Sequence, residues 1–498
     1  MSLYENIVKI TNQTTTTNGD VAFLSTGNFV YDMVALGGGL RNRNLEFSKL
    51  FYKAFTLDRY GALKALFYTR DIIDGLGERD LFRTGLLVLG NEFPHIVSSI
   101  LPFITYERIG RFDDMLILLD TLARDTVLEY IKQEITSSKT NNLVAKWLPS
   151  INTSSKVSVR YAYIIAKYLG LSPAEYRKFL SSNRKVVEQQ LSSKQFDKID
   201  YSSVPSQANF KYKKAFNRHD GARYHAFLES ASKDEAKINT STLSAYQVTK
   251  ASLTNEQSDT TEKLVNLTFS KILAKLDDID SNTIVIRDGS GSMWDYYGGV
   301  VKPIDVANAL TLVCARKLKG DMNGAFITFS RNAQLVKIPS NIGVRESIKF
   351  MNSFGEAANT NIERVYNLIL KIASSTDDLS CIPTRLLIIS DMQFDEASGY
   401  DTKTSNSNVN FNKKLVRTLD KFREKYSELN LALPSIYFWN VNSFNQTVPV
   451  GINDKGIYTI SGYSEHILNA VIRNKKLDPI DFVKNLLGKY SFIDNLEL

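Results

Sequence analysis

Oxygen-bearing side chains follow two apolar segments in the second half of the chain. The segment TIVIR predicts a buried strand, and Asp288, Ser290 and Ser292 come directly after it at intervals of two residues. A second predicted strand, LLIIS, ends immediately before Asp391, and Thr360 lies where a helix is predicted to begin. Carboxylates and hydroxyls are the hard oxygen ligands that Mg²⁺ prefers, and none of these positions offers sulfur or nitrogen for zinc or copper. These residues therefore predict a site for Mg²⁺ or another divalent cation.

Short apolar runs interspersed with helices are expected to position these residues. Between residues 281 and 498 the predicted strands are TIVIR, GAFITFS, QLVKIP, TRLLIIS, SIYFWNV and GIYTI, of which GAFITFS and QLVKIP form a hairpin or neighbouring strands. This alternation with amphipathic helices is typical of a doubly wound, mostly parallel α/β sheet. Ligands of such sheets bind at the carboxyl ends of the strands. The pattern therefore predicts that Asp288 and Asp391 lie at one edge of a C-terminal α/β domain.

The first half of the chain has helical periodicity instead. LEFSKLFYKAF and VSVRYAYIIAKYLG each place large apolar residues on one helical face, and short Gly-, Pro- or Asn-containing breaks separate further segments of this type. No segment there reads convincingly as a strand. Serial helices of this length predict stacked pairs of the HEAT kind, in a ring or a solenoid. We therefore expect a helical domain over residues 1–255, a connecting helix or linker over 256–280 and the α/β domain over 281–498.

The oxygen ligands resemble a known metal site. The DGSGS turn, followed by Thr360 and Asp391, is similar to the metal-ion-dependent adhesion site of von Willebrand factor type A domains. The resemblance implies that the two serines ligate the metal directly and that Thr360 and Asp391 bind it directly or through water. It also implies an open position that accepts an acidic oxygen from a partner. Two residues depart from the family pattern: Gly289 makes the turn more flexible, and Arg287 brings a guanidinium that would compete with the cation.

The helical half resembles a second module. RDIIDGLGERDLFR, AKWLP and the segment from SSNRKVVEQQ to GARYHAFL are similar to phage, bacterial and plant relatives of the Ro ribonucleoprotein autoantigen. In Ro-like proteins a closed ring of HEAT-like helices, the TROVE module, is joined to a type A domain. The resemblance implies that the ring binds small structured RNAs on its outside and single-stranded RNA ends in its hole.

Positive charge is concentrated in one part of this helical half. The whole chain carries a net charge of +8, and residues 151–224 contain 14 Lys/Arg against five Asp/Glu, a local net charge of +9. A localised basic surface is typical of proteins that bind a polyanion, although a solvated helix face has the same composition. The residues expected to contact RNA are Arg184, Lys185, Lys211, Lys213, Lys214, Arg218 and Arg223.

Aromatic residues are interleaved with these cations. Phe210, Tyr212, Phe216 and Tyr224 lie within NFKYKKAFNRHDGARY, and such rings can stack on unpaired bases. They fit equally well the buried face of a helix whose lysines form its solvated face. The sequence leaves both interpretations open.

A helix cap is the alternative explanation for the oxygen ligands. Asp and Ser accept hydrogen bonds from the free N–H groups at a helix start, and Thr360 with Glu363 three residues later has the pattern of a capping box. Catalytic patterns are missing from the sequence. The serines do not form a G-x-S-x-G nucleophile elbow, no Walker motif occurs, and the four histidines lack ligand spacing. We therefore expect a protein that is not an enzyme.

These features predict a non-catalytic, Ro-like RNA-binding protein with a Mg²⁺-dependent site in its C-terminal domain. The alternative is a metal-dependent scaffold that binds no RNA and whose protein partner, for instance an AAA+ ATPase or a virion component, supplies an acidic residue. A cryptic Mg²⁺ nuclease is a weaker third alternative. The start MSLYENIVKI lacks a signal-peptide pattern, no run of about 18 apolar residues occurs, and both cysteines lie in apolar surroundings. We expect a cytoplasmic protein without a membrane partner.

Overall fold

A computed structural model describes most of the chain. The described residues are 12–16, 19–105, 109–137, 141–184, 187–254, 258–296, 301–329, 333–355, 361–378, 380, 382–394, 418–443, 446–474 and 477–498.

The secondary structure changes character along the chain. The strands are β1 (Gln13–Thr15), β2 (Val21–Phe23), β3 (Thr283–Asp288), β4 (Ala325–Phe329), β5 (Ala333–Lys337), β6 (Arg385–Ser390), β7 (Ser435–Asn440) and β8 (Ile457–Ser461). The helices are α1 (Phe29–Leu36), α2 (Asn44–Leu57), α3 (Arg59–Arg70), α4 (Arg79–Glu92), α5 (Val97–Thr105), α6 (Arg124–Thr136), α7 (Asn141–Trp147), α8 (Lys156–Tyr168), α9 (Pro173–Asn183), α10 (Val187–Ser192), α11 (Ser206–Ser232), α12 (Ala245–Ser252), α13 (Asp259–Leu273), α14 (Pro303–Lys317), α15 (Val344–Asn352), α16 (Ile362–Ser375), α17 (Thr418–Glu428), α18 (Ile467–Arg473) and α19 (Pro479–Leu487). An all-helical region is followed by a mixed α/β region, which confirms the predicted fold class of α + α/β.

The chain forms two compact units from non-consecutive segments. The unit that contains the large sheet, called the sheet unit, comprises Met1–Asn42, Ser244–Gln257 and Phe269–Leu486. The other, called the helical unit, comprises Arg43–Leu243, Ser258–Thr268 and Leu487–Leu498. The sequence analysis divided the chain into consecutive domains instead, because hydrophobic periodicity reports local structure and not which segments share a core.

The sheet unit is built on six strands in the order β5-β4-β3-β6-β7-β8. All neighbours are parallel except β5, which pairs antiparallel with β4 as the predicted hairpin. All six residues of β3 are buried, as expected for a central strand that is covered on both faces. Because β3 and β6 are neighbours in this order, their carboxyl ends lie side by side at one edge of the sheet.

Amphipathic helices cover this sheet. Ile362, Val365, Tyr366 and Ile369 recur on one face of α16, and they pack in a core cluster with β3 and β6 residues that include Ile286 and Ile388. Helix α14 starts at Pro303, in the first helical position that tolerates a missing N–H, and nearly all of its residues are buried. These helices fix the sheet edge at which the candidate ligands lie.

A short hairpin near the start of the chain corrects the prediction that the first half contains no strand. Strands β1 and β2 pair antiparallel through Thr14 and Ala22, and Phe23 forms an isolated bridge with Val448 of the same unit. Strands of three residues are too short for an alternating pattern, so the sequence gives no local signal for them.

The helical unit consists of helices that pack on their neighbours in the chain. Helix α2 packs on α3 and α4, α6 packs on α7, and α9 packs on α7 and α8. Helix α2 buries Phe47, Phe51, Ala54 and Phe55 along one face. The buried Asp114 accepts hydrogen bonds from the side chains of Arg70 and Arg83, so these charges are paired inside the unit. HEAT-like stacking and closure into a ring stay predictions.

Among the residues that the structure describes, no single helix is long and apolar enough to cross a membrane. One pair, α4 with Pro94–Ile104, has the length and composition for it, but the pair is bent by 114°.

Replacing Gly38 by alanine is expected to destabilise the sheet unit. A Cβ atom on Gly38 would lie 2.4 Å from the Cα atom of Gly462 and 2.8 Å from the carbonyl carbon of Ser461, so the two backbones would have to separate. Overpacking of this kind costs about 1–3 kcal/mol, and urea unfolding of Gly38→Ala should show that loss. Gly488→Ala is the matched control, because no atom lies within 4 Å of its added Cβ. Equal unfolding midpoints for both variants would contradict this packing.

Candidate metal site

The pairing of β3 with β6 brings the two predicted acidic ligands to neighbouring positions. Arg287 is in register with Ile389, so Asp288 at the end of β3 lies beside Ser390 at the end of β6, and Asp391 is the next residue. Both carboxylates are buried. The Ser390 hydroxyl donates to Asp288 Oδ2 at 2.6 Å and bridges the two strand ends.

The hydroxyl groups of the two turn serines lie next to each other and beside the carboxylates. Asp288 Oδ1 accepts a hydrogen bond from the Ser290 backbone N–H at 2.9 Å, and the Ser290 and Ser292 hydroxyl oxygens are 3.3 Å apart. The Ser292 hydroxyl also hydrogen-bonds the Asp391 carboxylate, which lowers the pKa of that group. The structure therefore brings Asp288, Ser290, Ser292 and Asp391 together, whereas Thr360 lies outside the described residues.

Helix capping does not account for Ser290. The turn continues into a short 3₁₀ helix, Gly291–Trp294, for which Ser290 is the N-cap residue. Its side chain makes no capping hydrogen bond. The Ser290 hydroxyl instead faces Ser292, as a ligand of a shared ion would.

Burial makes the two carboxylates costly to ionise together. Burial, and then the negative charge of Asp288, raises the pKa of Asp391 to about 7. Burial also raises the pKa of Asp288, and hydrogen bonds from Ser390 and Ser290 partly offset that effect. In the described part of the chain neither carboxylate forms an ion pair with a Lys or Arg side chain. Two buried acids with hydroxyl oxygens beside them form a donor set that fits a hard divalent cation, whose charge would offset their repulsion.

Arg287 occupies a different environment from the acids that it precedes. Its buried guanidinium donates from Nη1 to Asn308 Oδ1 at 2.7 Å and to the Met351 carbonyl at 2.9 Å. From Nη2 it donates to Thr328 Oγ1 at 2.9 Å and to the Phe354 carbonyl at 3.0 Å. It hydrogen-bonds neither site carboxylate, although its charge lowers the pKa of Asp288. The predicted competition with the cation would therefore act through space and not by occupying the site.

Two residues of this site were missed by the sequence analysis. Ser390 bridges Asp288 to β6, and its only sequence signal is its place as the last residue of a strand that ends beside an acid. Trp294 donates from its indole N–H to the Gly289 carbonyl at 3.4 Å. A Cβ atom on Gly355 would lie 2.2 Å from the Trp294 ring, so the indole packs directly on that backbone. Trp294 thus fixes the turn that carries the serines.

The residues predicted to bind RNA divide into two groups within the helical unit. Arg184 donates to the Ala145 and Leu148 carbonyls at 2.7 and 2.6 Å, which caps the carboxyl end of α7. Arg223 donates to three backbone carbonyls at residues 196, 197 and 199 and pairs with Asp220 at 3.0 Å. Lys213 is half-buried and donates to the Phe210 carbonyl at 3.3 Å. Arg184 and Arg223 thus connect separate segments of the unit, whereas the Lys213 bond is local to α11.

The remaining cations lie on one face of α11. Lys211, Lys214 and Arg218 are exposed and are spaced three and four residues apart, which places them in line along a helix. Lys185 lies outside the described residues.

The aromatic residues of α11 include two that belong to the core. Phe216 and Tyr224 are fully buried and pack with Tyr201 and other apolar residues. Tyr224 also donates its hydroxyl to Asn209 Oδ1 at 2.6 Å. For these two rings the structure therefore supports the buried-face interpretation, since neither is accessible to an RNA base. Phe210 and Tyr212 are half-buried.

Comparisons with known proteins match most of the chain without supplying an activity. Residues 282–486 match a family model described as "Domain of unknown function (DUF7788)", and residues 160–281 match one described as "Domain of unknown function (DUF2828)". An uncharacterized protein of Acanthamoeba polyphaga mimivirus is 26% identical over 529 residues, which cover 95% of this chain and 87% of that protein. The first match begins one residue before the strand that carries Asp288 and contains the whole candidate metal site.

Asp391→Asn is expected to stabilise the metal-free protein at pH 8. The pKa of Asp391 is about 7 in the folded protein and ordinarily about 3.9 in an unfolded chain, so ionisation favours unfolding as the pH rises from about 4 to 7. The neutral amide removes that penalty, which is about 2–4 kcal/mol at pH 8 and small at pH 4. Urea unfolding in EDTA at both pH values measures it.

Asp295→Asn is the matched control for that variant, because Asp295 is exposed and close in sequence to the same turn. Its free energy of unfolding should follow that of the wild type at both pH values. If the wild type is as stable at pH 8 as Asp391→Asn, the predicted cost of ionising the buried Asp391 carboxylate beside Asp288 is wrong.

Proposed function

We propose that this protein is a non-catalytic binding protein whose sheet unit holds a divalent cation, Mg²⁺ or a similar ion, and docks an acidic group of a partner on it. The observation that carries the proposal is the convergence of two buried carboxylates, Asp288 and Asp391, with the hydroxyls of Ser290 and Ser292. In a metal site of this kind Asp288 and the two serines would hold the ion, with Asp391 and Thr360 as further ligands. The similarity to the adhesion site of type A domains supports the same assignment.

The chemistry of the site favours docking over catalysis. A bound divalent cation would offset the charge of Asp288 and Asp391 and leave part of its coordination shell for an oxygen from outside. No His, Cys or Lys side chain hydrogen-bonds these residues in the described part of the chain, so a general base or nucleophile beside the ion is not identified there. A carboxylate of a protein partner, such as an AAA+ ATPase or a virion component, fits the open position.

A cytoplasmic location fits this proposal. Cys314 is buried and unpaired in the sheet unit, and burial raises the pKa of its thiol to about 12. A thiol of this kind is inert and is compatible with a reducing compartment.

Cation binding is expected to produce tryptophan-sensitised terbium luminescence. Tb³⁺ is a hard ion that takes oxygen ligands, and Trp294 packs within the turn that carries Ser290 and Ser292. Excitation of the indole should give saturable emission that Mg²⁺ displaces, and Ser292→Ala should weaken the ion's affinity at least about tenfold.

Two tryptophan variants control this measurement. Trp294→Phe should lower the emission, with any remaining emission coming from Trp439 on β7, but should keep the heat of Mg²⁺ binding in calorimetry. Trp147→Phe in the helical unit should keep both. A wild-type protein with neither saturable emission nor Mg²⁺ heat at pH 8 would refute the proposed cation site.

A second candidate function is RNA binding by the helical unit. The observation that favours it is the line of exposed cations on α11, Lys211, Lys214 and Arg218. Cations in line along a helix can follow the phosphates of a structured RNA, and the similarity to Ro-like proteins supports this ligand. The two functions lie in different units, so one protein can have both.

Charge reversal of this line is expected to abolish RNA binding. Lys211→Glu, Lys214→Glu and Arg218→Glu together should weaken binding of a small structured RNA at least about tenfold in a filter assay at low salt. Wild-type affinity should fall steeply with salt, with a log–log slope of about −2 to −3 if the three cations contact phosphates.

The matched control reverses three exposed lysines elsewhere in the same unit, Lys132, Lys233 and Lys237. It should change the affinity less than about threefold, and Asp288→Ala in the sheet unit should not change it. Equal losses in the two triple variants would show that only the overall charge matters and would remove α11 as the RNA site.

A further inference from the structure

Arg287 is a buried cation without an acidic hydrogen-bond partner. Its side chain is fully buried, and its four hydrogen bonds go to an amide, a hydroxyl and two backbone carbonyls, all of them neutral acceptors. Its Nε atom is buried without a hydrogen-bond partner, and the guanidinium carbon lies 5.2 Å from the centre of the Phe326 ring. Burying a guanidinium in this way is costly, since buried charges are normally paired.

The nearest acidic residue is Asp288, the first residue of the candidate metal site. Successive residues of a strand point to opposite faces, so the Arg287 guanidinium and the Asp288 carboxylate diverge from adjacent positions of β3. The positive charge nevertheless acts on Asp288 through the interior, where screening is weak. Arg287 is therefore part of the electrostatics of the site although it touches no ligand.

The Arg287 guanidinium changes the net formal charge of the candidate metal site. Asp288 and Asp391 together carry two negative charges when ionised, and a divalent cation cancels them. Arg287 adds one positive charge that nothing in its hydrogen-bond shell neutralises. The loaded site with Arg287 is thus cationic by one charge, whereas the same site without it is neutral.

We propose that Arg287 sets the ligand preference of the candidate metal site: its charge weakens the binding of the cation and gives the loaded site a net positive charge that draws an anionic group to the open position. This inference rests on the proposed function, because it requires that a divalent cation binds. Arg287 is a positioning residue in addition, since its bonds to the Met351 and Phe354 carbonyls hold the end of α15 and the backbone after it. Its positive charge weakens cation binding, whereas its positioning role supports cation binding. The affinity for Mg²⁺ in suitable variants therefore shows which of the two effects is larger.

Two substitutions separate the charge from the positioning role. Arg287→Met keeps the apolar stem and removes the charge, whereas Arg287→Lys keeps the charge and loses the planar fork that reaches four acceptors. If the charge dominates, Arg287→Met binds Mg²⁺ about tenfold more tightly than the wild type in calorimetry and Arg287→Lys stays within about threefold. If Arg287 only braces the fold, both variants bind Mg²⁺ more weakly, and the inference is overturned.

Asn308→Asp tests the same charge with Arg287 in place. Asn308 Oδ1 accepts from Arg287 Nη1 at 2.7 Å, so an aspartate there would pair with the guanidinium at almost the same volume. Asn308 Nδ2 donates to Asn352 Oδ1 at 2.6 Å, and rotation of the Asn352 amide can restore that bond to the new carboxylate. Asn308→Asp should therefore also bind Mg²⁺ more tightly, whereas Asn341→Asp, which adds the same charge at an exposed position of the sheet unit, should not. This variant decides the question if Arg287→Met does not fold.

The preference for an anionic ligand is measured as the affinity for a fluorescent hexaglutamate peptide at saturating Mg²⁺. We expect the wild type to bind it in a Mg²⁺-dependent manner and both Arg287→Met and Asn308→Asp to bind it at least about fivefold more weakly, although each holds Mg²⁺ more tightly. Equal peptide affinity in the three proteins would overturn the anion half of the inference. A wild type that binds no Mg²⁺ would refute the proposed function itself, whereas a wild type that binds Mg²⁺ while neither variant binds it more tightly would refute only the role of Arg287.

Discussion

The parallel pairing of β3 with β6 is the constraint on which the candidate site depends. It places Ser390 against Asp288 and so brings two acids about one hundred positions apart in the chain to one edge of the sheet. Both strands are apolar and buried, and their burial holds the carboxylates where like charges repel. The stability of the sheet therefore offsets an electrostatic cost, and under the proposed function a bound divalent cation would relieve it.

The strand that carries Asp288 also carries an uncompensated cation. The cost of burying Arg287 is offset by hydrogen bonds to α14, β4 and the end of α15, so the guanidinium ties together the elements around the site. Trp294 adds a second tie, from the serine turn to Gly355. Ser290 and Ser292 thus lie in a turn that Trp294 holds in place, and under the proposed function such a site would need little reorganisation when an ion enters.

In the basic part of the helical unit, the local net charge counts cations that are not available on the surface to bind a polyanion. Arg184 and Arg223 contribute to the local charge, yet both donate to backbone carbonyls at the ends of helices and turns. A guanidinium with five donors can satisfy several such carbonyls at once, so Arg184 and Arg223 serve the fold, whereas Arg218 is exposed with Lys211 and Lys214. The aromatic residues divide in the same way, since Phe216 and Tyr224 complete the core of the unit. Of the described cations that the sequence assigned to RNA, Lys211, Lys214 and Arg218 on α11 are the ones on which the RNA proposal depends.

The sequence by itself determined the fold class and the run of candidate oxygen ligands after β3. It also showed that these positions offer neither sulfur nor nitrogen to a metal. Hydrophobic periodicity and residue chemistry are local properties, so the sequence records them directly. It also predicted that Asp391 directly follows a strand, although not that Ser390 would bridge that strand to Asp288. Only the tertiary structure decided which strands are neighbours, that β1 and β2 join the sheet unit, and that Arg287 and Arg184 turn inward. These features depend on contacts between segments far apart in the chain, whose free energies no local pattern records.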